Sequence, residues 1–119
     1  MQVLKKRADF VKLNRLKQSW ITPGIIIQIA CREKTPEREE EHSWRVGFTA
    51  SRKIGNAVQR NFAKRRMRAL AYHLLTQMGA KGYDYVLIAR PDILTMEFDV
   101  LKQDLEKAIV LLHKKYDVK

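Results

Sequence analysis

Between Arg52 and Arg68 the chain places seven cations (Arg52, Lys53, Arg60, Lys64, Arg65, Arg66, Arg68) and not one acid. Unpaired charges do not enter a core, so such a stretch either stays irregular in solvent or lies along one side of an element whose other side is apolar. The apolar residues decide between these. Ala63, Met67, Leu70, Ala71, Leu74 and Met78 recur at three- and four-residue steps, which predicts one buried side of a helix. Asn56, just ahead, suits an N-cap because its side-chain oxygen can take an orphan amide, and Gly79 suits the stop. At about 100° per residue, Arg60, Asn61, Lys64, Arg65 and Arg68 fall on an arc beside the buried stripe and form a continuous ridge, while Phe62 faces away from the core.

The remaining segments supply something for that helix to pack on. From Ala8 to Lys17, Phe10, Leu13 and Leu16 fall at helical spacing among basic residues, and Thr22-Pro23-Gly24 ends that element. Residues 25–31 (IIIQIAC) are β-branched and short, which predicts a strand with Ile25, Ile27 and Ile29 on one face and Ile26, Gln28 and Ala30 on a wetter one. Residues 32–41 form a polar, acidic connection, and 44–51 alternate as a second strand. A third, apolar strand covers 83–89, and a last helix starting near Thr95 buries Phe98, Leu101, Leu105, Ala108 and Leu112. The order predicts an α+β fold with one sheet, and the length of 119 residues predicts a single domain over 1–119.

The net charge of +11 sits entirely in two places: residues 1–31, with six cations against Asp9, and the acid-free run at 52–68. Such patches point to a polyanion, nucleic acid before anionic membrane. The single Cys31 cannot close a disulfide within the chain, and His42, His73 and His113 have no metal-ligand spacing, which suits a reducing, cytoplasmic setting. No apolar run approaches the roughly 20 residues of a membrane span. Phosphate-binding loops, zinc-protease and thiol-redox motifs, and serine-nucleophile elbows are all missing, so the sequence offers no active site of its own.

The stretch RVGFTASRKIGNAVQRNFAKRRMRAL, Arg45 to Leu70, resembles the signature of the protein component of bacterial ribonuclease P. LKKRADF (Leu4 to Phe10) is similar to the start of that family's first helix, and DYVLIARP (Asp84 to Pro91) to its fourth strand. The resemblance implies a sheet of about four strands packed with helices, a further short strand near Trp20, and a left-handed βαβ crossover around the basic helix, as in the second domain of ribosomal protein S5. It also implies the accessory protein subunit of an endoribonuclease whose catalytic RNA removes the 5′ leader of precursor tRNA, with Mg²⁺ held mainly by the RNA. The implied partners are that RNA and the leader, with no membrane and no DNA. By the same carry-over, Arg52, Lys53, Asn56, Arg60, Asn61, Lys64, Arg65 and Arg68 contact RNA, and Phe10, Ile26, Gln28 and Thr49 border the leader cleft. Phe62 stands where the family pattern has an arginine; its ring either stacks on a base or packs on the preceding strand or turn.

Three other readings are weighed against this one. A structural RNA-binding module would use the same ridge. A protein-only nuclease would need His42 and His113 to meet across a phosphate, and a membrane binder would need an apolar face not already spent on the core.

Overall fold

In a computed structural model, residues 1–4, 7–8, 18–31 and 43–118 are described. Nearly all of the expected first helix, Phe10 included, and the acidic connection with His42 lie outside these residues. The elements are β1 (Gln2–Val3), β2 (Ser19–Ile21), β3 (Ile25–Cys31), β4 (Arg45–Thr49), a 3₁₀ turn at Arg52–Ile54, α1 (Ala57–Met78), β5 (Tyr83–Ala89), a second 3₁₀ turn at Pro91–Leu94, and α2 (Phe98–Lys115). The five strands form one mixed sheet in the order β1-β4-β5-β3-β2. The short strand expected near Trp20 is β2. The two-residue β1, parallel to β4, extends the sheet beyond the four strands expected.

β4 and β5 are neighbours and parallel, which two strands in direct sequence achieve only through a crossover; α1 is that crossover. β3 runs antiparallel to β5 over seven residue pairs and to β2 over three. The tight β2–β3 turn is held by Thr22, whose buried hydroxyl donates to the Ile25 carbonyl (2.6 Å) and accepts from the Ile25 amide (3.1 Å). Arg90 clamps the same turn from the far end of β5 by donating to the Thr22 carbonyl at 2.9 Å.

Both helices pack on one face of the sheet. Ile25, Ile27, Ile29, Val46, Tyr85 and Leu87 meet Ala63, Met67, Leu70, Leu74 and Leu75 of α1 and Leu101, Leu105, Ala108, Ile109 and Leu112 of α2. Leu75 and Ile109 join the stripes expected from spacing, and Met78 sits at their edge. α2 begins at Phe98 instead of near Thr95, because residues 91–94 form the separate 3₁₀ turn and Thr95 ends it.

The opposite face is not uniformly the wetter one. Strand pairing sets Thr49, Ile88, Ile26 and Ile21 in one row across four strands, and Gly47, Val86, Gln28 and Ser19 in the next. The first row is half-buried to exposed, but in the second Gln28 is only 9% exposed. Leu4 packs on Ala30 and Val86 beside it, and Arg45 forks onto both oxygens of Asp84 at 2.8 and 2.7 Å. A polar side chain in the strand was therefore a misleading sign of solvent on that face.

Candidate nucleic-acid interface

The interface begins where β4 ends. Ile54 is 5% exposed and anchors the 3₁₀ turn, so the turn projects Arg52 and Lys53 outward. Gly55 then has φ 144°, a conformation L side chains rarely adopt, and a Cβ there would lie 1.9 Å from Oε1 of Gln59. That oxygen accepts from the Asn56 amide (2.9 Å), while Asn56 Oδ1 accepts from the Gln59 amide (2.9 Å): a reciprocal capping box at the start of α1. Asn56 is exposed, but its side-chain oxygen is already committed to the helix.

Along α1, Asn61, Arg65 and Arg68 are exposed, and Arg60 and Lys64 are half-buried toward the core side. Arg60 to Arg68 spans two turns, about 12 Å of helix. Arg60 donates to the Gly55 carbonyl at 3.1 Å, tying the ridge to its entry turn. Arg68 lies over the ring of Phe48, 5.7 Å from its centroid, so the edge of the core sets this guanidinium's height. Arg66 falls outside the ridge; it donates to the Ile93 carbonyl at 2.6 Å and holds the second 3₁₀ turn. Phe62 is half-buried with the guanidinium groups of Arg65 and Arg66 at 5.9 and 5.3 Å from its centroid. Both cations are within cation–π reach of the ring.

No acid occurs anywhere in α1, and among the described residues no ion pair involves the ridge cations. Like charges three and four residues apart each cost a few tenths of a kcal/mol, a strain that a polyanion would relieve. The donor set is guanidinium, ammonium and one carboxamide. It can fork onto phosphate oxygens, but it offers no carboxylate to a divalent cation. Among the described residues no three His, Cys, Asp or Glu side chains gather to hold a metal ion.

Of the expected cleft residues, Thr49 and Ile26 share the open row with Ile88 between them, Gln28 lies covered one row away, and Phe10 is outside the described residues. Ile88 and Ile21 complete that row. Alternation within β5 already separates Ile88 from Tyr85 and Leu87, but only the pairing register shows which strands bring it beside Thr49 and Ile26.

His113 has a structural task. Tyr85, fully buried, accepts a hydrogen bond from the Ala80 amide (2.9 Å) and shares a second one, 2.8 Å long, with His113 Nε2, its direction set by the imidazole tautomer. Burial pushes the Tyr85 phenol up to about 12 and His113 below its ordinary value. The cation that a helix C-terminus would favour is thus outweighed by desolvation. No described helix is long and apolar enough to cross a membrane.

Comparison with known proteins agrees with this geometry. The family model for ribonuclease P matches residues 1–113. The ribonuclease P protein component of Ruegeria pomeroyi is 44% identical over 114 residues, covering 95% of this chain and 87% of the relative. That of Paramagnetospirillum magneticum is 42% identical, covering 89% and 78%. The RNase P protein of Staphylococcus aureus superposes with a TM-score of 0.73 at 27% identity, over 93% of this chain and 94% of that one. The Thermotoga maritima protein, at 22% identity, shares the fold with a TM-score of 0.72. A chain with this matched length, this sheet order and this acid-free helix belongs to the ribonuclease P protein family.

Proposed function

We propose that this chain is the protein subunit of a ribonucleoprotein endoribonuclease that removes the 5′ leader from precursor tRNA, and that the bond is broken on the RNA subunit. The observation that carries the reading is the ridge of α1: cations and one carboxamide on a single arc, without an acid on the helix, mounted on the fold of a ribonuclease P protein. Arg52, Lys53, Asn61, Lys64, Arg65 and Arg68 dock on phosphates of the RNA; Asn56 and Arg60 hold the helix start in position for them. The row of Thr49, Ile88 and Ile26 gives the leader an apolar floor.

Mg²⁺ belongs to the RNA in this reading, since the ridge has no oxygen ligand set for it. The chain's part is to neutralise phosphate repulsion and fix the relative placement of RNA segments. The cellular setting that follows is the cytoplasm, where precursor tRNA is made.

The test is reconstitution. Purified chain, added to a bacterial ribonuclease P RNA and precursor tRNA at low Mg²⁺, is expected to raise the cleavage rate strongly, and the chain alone to cleave nothing. Cleavage by RNA-free protein, or failure to associate with the RNA, overturns the proposal.

A further inference from the structure

The ridge does not stop at its last cation. Tyr72 lies four residues beyond Arg68, seven beyond Arg65 and eleven beyond Asn61, all spacings that return to one helical stripe. Its side chain is 61% exposed and takes no part in the core. An exposed tyrosine on a helix is ordinarily unremarkable, but this one is propped in place. Its ring meets His73 edge-on at 5.9 Å, and His73 meets Phe98 edge-on at 6.5 Å; Phe98 packs against the core. The phenol ring therefore stands about 6 Å further along the helix than Arg68, oriented by a short relay of rings.

Resting on the RNA-docking reading of the ridge, we propose that Tyr72 is a base-stacking residue: it takes an unpaired nucleobase of the RNA whose neighbouring phosphates lie on Arg65 and Arg68. Aromatic rings beside cations suit single-stranded nucleic acid, because every base has a π-face and each base is followed by a charge. The surroundings exclude other occupants. A membrane would need a wide apolar face, whereas the stripe here is Arg65, Arg68 and Asn61; the cations call for an anionic partner, and the ring for a flat one. The position also adds a kind of contact that the rest of the ridge lacks, since charge alone cannot favour an unpaired base over a duplex.

The experiment compares chain and ribonuclease P RNA affinities across a range of salt concentrations for wild type, Y72A, Y72F and R65A. Stacking is insensitive to salt, so Y72A is expected to bind about tenfold more weakly at every salt concentration with an unchanged slope, and Y72F to bind as wild type. R65A is expected to bind more weakly with a slope shallower by about one. In the wild-type complex, ultraviolet irradiation should cross-link RNA to the peptide carrying Tyr72. Wild-type affinity in Y72A together with no cross-link overturns the stacking role while leaving the ridge intact. Unchanged affinity and slope in R65A would instead remove the ridge reading on which it rests.

Discussion

Gly55 and Gly79 bracket the basic helix for different reasons. At Gly55 the backbone sits at φ 144°, and an added methyl would strike the very oxygen of Gln59 that completes the capping box. Gly55→Ala is expected to cost about 1–3 kcal/mol, read as a lowered urea midpoint. At Gly79 the backbone is extended (φ −61°), and what requires glycine is the Trp44 ring, 2.5 Å from where a Cβ would stand, together with the Leu75 carbonyl at 2.6 Å. The sequence marked the stop correctly; part of the reason is packing against a residue 35 positions earlier, which local pattern does not carry. The same holds for His113. Spacing placed it at a helix end, but only the fold puts it against Tyr85, on a strand 28 residues earlier. Because burial lowers its folded pKa below the ordinary 6.5, the unfolded chain binds a proton that the folded one resists. The stability from neutral His113 is complete above about pH 6.5 and is lost as pH falls through the lower folded value. Urea midpoints between pH 7.5 and 5 should show this decline, and His113→Gln should flatten it without altering reconstituted cleavage.

At the scale of the element, α1 was the most legible part of the molecule. Its N-cap, its length from Ala57 to Met78 and most of its buried stripe follow from side-chain spacing, because a helix closes its hydrogen bonds within itself. Strands are less legible, since their faces are assigned by partners. Gln28 suggested solvent, yet it is 9% exposed, on a face where its β5 partner Val86 and Ala30 pack with Leu4. Asp84 gave no hint of its fork with Arg45 for the same reason. Asp84→Asn is expected to cost about 2 kcal/mol in thermal or urea unfolding, the loss of charged hydrogen bonds at a largely buried position. Asn56→Ala separates folding from binding: it should lower stability by about 1 kcal/mol through the lost cap and leave the salt slope of RNA binding near wild type.

For the whole molecule, the class of fold and its family were readable from the chain, while the fifth strand and the order β1-β4-β5-β3-β2 depend on contacts between distant segments. A charge of +11 on 119 residues also shapes behaviour in bulk. Self-repulsion opposes the compact state, so moderate salt or sulfate should raise the melting temperature of the free chain, whereas the same salt should loosen its complex with RNA. Opposite responses of the two species in parallel melting and binding titrations check this.

Only Ala50 and Ser51 separate the last residue of β4 from the turn that opens α1, and that turn is pinned by buried Ile54, the glycine bend and the capping box. Thr49 on the open face of the sheet and Arg52 on the exposed turn are thus nearly consecutive along a stretch with no slack. The molecule is a caliper with its jaws welded: whatever polymer touches both surfaces must bring its own segments to that fixed gap. The adjustment falls to the more pliable partner.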